Sequence, residues 1–155
     1  MAFHIVLVEP EIPANTGNIA RTCAATGTYL HLVRPLGFST DDKYLKRAGM
    51  DYWQHVKVEY HDSLEEVMNK YAGHRFFFVE TRVKHLYADM SYRDGDFFVF
   101  GKESAGLPAH ILEERPDQCI RIPMVEGTRS LNLSNTAAIV LYEALRQTGF
   151  HHLNG

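Results

Sequence analysis

The sequence predicts an α/β fold: a mostly parallel sheet flanked by helices on both faces. Three observations carry that prediction. Short apolar runs alternate with helical patterns along the whole chain, the arrangement of layered α/β proteins. Two of the runs, Phe76-Phe77-Phe78-Val79 and Phe97-Phe98-Val99-Phe100, are apolar at every position, as strands covered on both sides must be. The last long pattern is a single apolar stripe of Leu133, Ala137, Val140, Leu141, Ala144 and Leu145 at helical spacing.

In chain order, strands are expected over residues 3–8, 29–33, 56–60, 75–80, 97–100 and 119–122. Helices are expected over 18–26, 42–48, 63–71, 109–114 and 133–147. The first strand ends where Glu9 and Pro10 interrupt its apolar run. The helix after it opens on Asn15, Thr16 and Gly17, two capping residues and a flexible one. Ser63 with Glu66 three residues on is a capping box. Gly149 stops the last helix.

The chain has 155 residues, 45% hydrophobic and 23% charged, the balance of a soluble globular protein. One domain over residues 1–155 is expected. There is no run of the roughly 20 apolar residues that span a bilayer, so no membrane partner is expected. The start, Met1 to Val8, lacks a basic segment and reads as a strand rather than a signal peptide. Cys23 and Cys119 are the only cysteines, which points to a reducing, cytoplasmic setting without disulfides. Sixteen Lys and Arg against nineteen Asp and Glu leave a net charge of −3. That excludes nucleic-acid binding by bulk charge and leaves room for a local basic site. The nine histidines show no metal-ligand spacing, and no metal is expected.

Three segments are richer than sheet connections need to be. The first runs from Pro10 to Arg21, with Asn15, Thr16, Gly17 and Asn18 at a helix start whose free N–H groups suit an anion. It equally suits a capped helix with a solvated arginine. The second, Phe100-Gly101-Lys102-Glu103-Ser104-Ala105-Gly106-Leu107-Pro108, takes a buried strand directly into two glycines. Ligands of open α/β sheets gather at the carboxyl ends of strands, so this loop can fold around a cofactor. It can also be a plain strand–turn–helix. It contains neither a P-loop nor a dinucleotide-binding glycine pattern. The third, Ile120 to Asn135, crowds Asn132, Ser134 and Asn135 at a helix start where one cap would suffice. Asn135 and Tyr142 lie two turns apart on one face of that helix.

Taken together, these segments resemble the motifs of the SPOUT methyltransferases. The match is nearest to the small tRNA 2′-O-methyltransferases of the wobble position, the TrmL/YibK type. The matching stretches are Glu9-Pro10-Glu11-Ile12-Pro13, Asn15-Thr16-Gly17-Asn18-Ile19 and Arg21, then Phe100-Gly101 with Glu103 and Gly106-Leu107-Pro108. Arg121-Ile122-Pro123-Met124, Arg129-Ser130 and Asn132-Leu133-Ser134-Asn135 follow. Gly37-Phe38, Asp41-Asp42-Lys43, Arg47-Ala48-Gly49 and Asp51-Tyr52 add to them, so the resemblance covers nearly the whole chain.

The resemblance implies a C-terminal deep trefoil knot, a homodimer formed through it, and S-adenosylmethionine as methyl donor, leaving S-adenosylhomocysteine. It implies cofactor binding by Val79, Gly101, Ile122 and Ser130, with Thr81, Leu131 and Glu103 beside them. It implies that Arg21 assists loss of the ribose 2′-hydroxyl proton, with Asn15, Asn135 and Tyr142 orienting the group. Because guanidinium is almost never neutral, hydrogen bonding and charge stabilisation are the easier role for Arg21. The partner would be a tRNA anticodon stem-loop, held by Arg21, Lys43, Lys46, Arg47, Lys102 and Arg129, with Arg82 and Lys84 as further cations. Methylation of another tRNA or rRNA site, or a non-catalytic RNA-binding module, are the alternatives.

Overall fold

The computed structural model describes residues 2–39, 43–45, 47 and 53–155. Among these residues, seven strands form one sheet: β1 (His4–Val8), β2 (Tyr29–Val33), β3 (Val58–His61), β4 (Phe76–Val79), β5 (His85–Leu86), β6 (Phe97–Phe100) and β7 (Cys119–Arg121). Their order is β3-β2-β1-β6-β4-β7-β5, and every neighbouring pair is parallel. Described helices are α1 (Pro13–Thr26), α2 (Lys43–Leu45), α3 (Leu64–Lys70), α4 (Ala109–Glu114) and α5 (Leu133–Gln147).

Alternation along the strands sends side chains to two separate cores. Ile5, Leu7, Leu30, Leu32, Phe98 and Phe100 meet Ile19 and Ala20 of α1 and Val140, Leu141 and Leu145 of α5. Val6, Val33, Phe76, Phe78, Phe97 and Val99 meet Leu64 and Val67 of α3 and Ile111 of α4. The central strands are buried on both faces, as their unbroken apolar runs required. Each fully buried Phe or Leu contributes roughly 1.5–3 kcal/mol to this layering.

The expected elements are present with shifted ends. α1 starts at Pro13, five residues before the expected position, because Pro13 occupies the first helical turn where its missing N–H costs nothing. Asn15 and Thr16 therefore do not cap: they are buried inside the first turn, and the Thr16 hydroxyl has no partner among the described residues. β3 begins two residues later than expected, and β4 and β7 are each shorter. β5, a two-residue edge strand on β7, is too short for any periodicity to reveal. Of the expected helix over 42–48, residues 43–45 are helical; 42, 46 and 48 lie outside the described residues. Ser63 caps α3 by accepting the Glu66 N–H at 3.1 Å, while the Glu66 carboxylate reaches back to the Asp62 N–H rather than to that of Ser63.

Candidate active site

Three adjacent strands, β6, β4 and β7, end at the same level and open onto a cavity of about 540 Å³. This is within the range of about 300–1,000 Å³ typical of small-molecule sites. Val79 closes β4, Gly101 follows β6 and Ile122 follows β7, so the three expected cofactor residues at strand ends converge there. Thr81, Glu103, Ser130 and Leu131 line the same cavity, as do Asn15, Lys102 and Arg129.

Gly101 shows why this wall is made of backbone. A Cβ at that position would lie 2.1 Å from the Gly106 carbonyl carbon and 2.3 Å from the Leu107 nitrogen. The chain folds back on itself there: Gly106 N–H donates to the Lys102 carbonyl at 2.8 Å, and Gly106 takes φ 71. A side chain on either glycine would push the loop into the cavity or away from it.

Glu103 joins the first segment to the second. Its carboxylate accepts the N–H groups of Glu11 at 2.9 Å and Ile12 at 3.1 Å, and the Asn15 side-chain amide at 3.1 Å. Glu11 returns the contact by accepting the Ser104 N–H at 2.8 Å. Its bond with Ser104 holds the Glu11 carboxyl below the usual carboxylate range. The positive end of α1 is thus met by an internal carboxylate. The sequence left an external anion and a plain capped helix both open there; the structure places the Glu103 carboxylate against the residues that lead into α1.

Asn15 extends the link to the third segment: its carbonyl oxygen accepts the Asn132 amide at 3.1 Å. Asn132 in turn caps α5, accepting the N–H groups of Ser134 at 2.9 Å and Asn135 at 3.3 Å and the Ser134 hydroxyl at 2.6 Å. One residue of the polar cluster does the capping, Ser134 supports it, and the Asn135 side chain is left exposed.

Arg21, Asn135 and Tyr142 do not line the cavity. Arg21 is exposed on α1, and Asn135, Ile139 and Tyr142 form an exposed strip on α5, which packs against α1. Lys43 and Arg47 are exposed and do not line it, Arg82 lines it, and Lys46 lies outside the described residues.

Sequence reasoning left Glu80 without a role. It also assigned no site role to Ile12, Phe100 and Thr136, which line the cavity. Glu80 accepts the Leu107 N–H at 2.9 Å and so pins the glycine loop to the end of β4. The available signal was a lone carboxylate directly after four buried residues at a strand's carboxyl end.

The model of the SpoU rRNA Methylase family matches residues 2–142. A tRNA (cytidine(34)-2′-O)-methyltransferase from Methylovorus glucosotrophus is 50% identical over 149 residues, covering 96% of this chain and 97% of that one. A crystal structure from Bacillus anthracis has a TM-score of 0.92 and 58% identity over 99% of both chains. A structure described as giving insight into 2-OH methylation of C/U34 on tRNA has a TM-score of 0.90 and 44% identity. It covers 95% of this chain and 96% of that one.

Proposed function

The chain belongs to the SpoU rRNA Methylase family, and from that premise we propose that it is an S-adenosylmethionine-dependent tRNA 2′-O-methyltransferase acting on the wobble ribose, of cytidine or uridine, in the anticodon loop. The carrying observation is the cavity beyond β6, β4 and β7, walled by Val79, Gly101, Ile122 and Ser130 with no room for a side chain at Gly101. The name of the 50% identical relative and the subject of the TM-score 0.90 structure favour a tRNA wobble site over an rRNA site.

When bound, S-adenosylmethionine supplies an electrophilic methyl group on a sulfonium sulfur. The residues of this chain do the rest by holding and orienting. Backbone groups at Val79, Gly101 and Ile122, with Ser130, Leu131, Thr81 and Glu103, hold the cofactor. Transfer to the ribose would form the carbon–oxygen bond as the sulfur–methyl bond breaks, leaving S-adenosylhomocysteine, with the 2′-hydroxyl proton passing to solvent. Arg21 stabilises the developing negative charge by hydrogen bonding, with Asn135 and Tyr142 orienting the ribose. Asn15 acts through its bonds to Glu103 and Asn132, keeping three segments in register.

The proposal includes one SPOUT domain over the whole chain, a C-terminal trefoil knot and a cytoplasmic homodimer. The loops after β6 and β7 both wall the cavity, which supports the knot reading. Arg21, Asn135 and Tyr142 outside the cavity of one chain, with the exposed Ile139 beside them, support a site completed by a second copy. Lys102 and Arg129 at the cavity, with Arg21, Lys43, Lys46 and Arg47, provide the local positive charge for the anticodon stem-loop. Affinity for RNA should fall with salt through these contacts.

The deciding experiment is Arg21→Ala. Calorimetry should show unchanged S-adenosylmethionine binding, and methyl transfer to tRNA should be abolished. Full turnover by the folded variant would refute the assignment.

A further inference from the structure

The sheet face under α3 carries a cluster unrelated to the cavity. β2 and β3 pair in parallel with His31 opposite Glu59 and Val33 opposite His61, which places three polar side chains on one buried face at the sheet edge. His31 Nδ1 lies 3.0 Å from His61 Nε2, and His61 Nε2 lies 3.7 Å from Glu59 Oε1. His31 and His61 are almost wholly buried, and Glu59 is about one-third exposed and gives the cluster its opening to solvent. Strand register, rather than spacing along the chain, assembles the group, so the order of the histidines did not reveal it.

We propose that His31, His61 and Glu59 form a binding site for a divalent zinc ion, a structural clamp between β2 and the edge strand β3. Zinc bonds of about 2.0–2.1 Å in a tetrahedron place ligand atoms about 3.3 Å apart; the His31–His61 and His61–Glu59 separations lie on either side of that value, and all three ligand atoms lie within 4.8 Å of one another. Two imidazoles, one carboxylate and one water would complete such a centre.

The surroundings supply what metal ligands require. The second ring nitrogen of each imidazole faces an acceptor: His31 Nε2 is 2.9 Å from His4 Nδ1, and His61 Nδ1 is 3.6 Å from Glu66 Oε1. His4 is itself fixed by stacking on Phe97 at 4.0 Å. The other oxygen of Glu59 accepts the Tyr71 hydroxyl. Partners of this kind orient ligating histidines and carboxylates. One competitor is present. The Lys70 ammonium donates to Glu59 Oε1 at 2.7 Å, but Lys70 is more than half exposed and can swing into water.

The site is separated from the cavity by β1, so it serves the edge of the sheet and not the methyl transfer.

The test uses the full chain, stripped with a chelator and titrated with zinc chloride by calorimetry, with metal content measured after dialysis. One zinc per chain is expected, with a rise in melting temperature that saturates at one equivalent. Glu59→Gln and His61→Gln should each abolish stoichiometric binding while keeping S-adenosylmethionine affinity as the sign of a folded chain. Tyr71→Phe should weaken zinc about tenfold, and Lys70→Ala should tighten it. His151→Ala, at the exposed tail, should change nothing. Absence of zinc from the wild-type chain at micromolar free metal would overturn the proposal. So would stoichiometric binding that survives Glu59→Gln or is lost in His151→Ala.

Discussion

The Glu80 carboxylate accepts the Leu107 backbone N–H at 2.9 Å, tying the end of β4 to the glycine loop after β6. Leu107 is buried, and its N–H meets the Glu80 carboxylate where both walls reach the cavity. Glu80→Ala should therefore destabilise the chain by about 1.5–3 kcal/mol, the usual worth of a hydrogen bond to a charged group. S-adenosylmethionine affinity should fall with it, because the freed loop is a wall of the cavity. Denaturant unfolding and calorimetry check the two effects. A variant with wild-type stability would mean that the bond contributes nothing.

Gly101 is the position where a single methyl group has nowhere to go. Backbone atoms of Gly106 and Leu107 lie within 2.4 Å of where its Cβ would stand. Backbone cannot rotate aside as the end of a flexible side chain can. Gly101→Ala should displace the 101–107 loop and lower S-adenosylmethionine affinity by more than about tenfold, or about 1.4 kcal/mol. Calorimetry on the folded variant reads this directly, and unchanged affinity would show that the loop does not hold the cofactor.

The core was legible in the sequence for a plain physical reason: Phe76–Val79 and Phe97–Phe100 are apolar on both faces, and only a doubly covered strand tolerates that. The stripe from Leu133 to Leu145 was equally clear and forms α5 as expected. The cavity was legible through Gly101 and the strand ends. What the sequence concealed were relationships that depend on register and on distant polar pairs. Glu103 looked like a cofactor contact, yet it also carries the N-terminus of α1, across some ninety residues of chain. Asn15 looked like a cap and is a buried bridge. His31, Glu59 and His61 looked unrelated because pairing of β2 with β3 brings them together.

The Glu103 bridge yields a prediction of its own. Three hydrogen bonds to one carboxylate, two from backbone at the positive end of α1, are charge-assisted and together outweigh a neutral contact. Glu103→Ala should destabilise the chain by about 2 kcal/mol, within the range for hydrogen bonds to charged groups. Asn15→Ala removes one of the same bonds plus that to Asn132. The double variant should therefore cost less than the sum of the two single ones. Urea unfolding of the four proteins completes the cycle, and strict additivity would contradict the shared network.

Both thiols are placed to be inert. Cys23 in α1 and Cys119 in β7 are fully buried, and burial pushes both thiols above their ordinary value of 9.0. For Cys119 the charge of Glu80 adds to the same direction, and its S–H donates to the Arg115 carbonyl at 3.2 Å. The folded chain thus keeps its thiol protons where the unfolded chain releases them. The sign follows: the stabilising contribution of the protonated thiols is complete below the ordinary value and is lost as pH rises above it. Since the thiolate is the reactive form, iodoacetamide at pH 8 should add nothing to the native chain. It should add two groups once the chain is unfolded in guanidinium. Intact mass spectrometry counts the adducts, and rapid labelling of Cys23 without unfolding would show that the contact between α1 and the sheet opens far more readily than its packing implies.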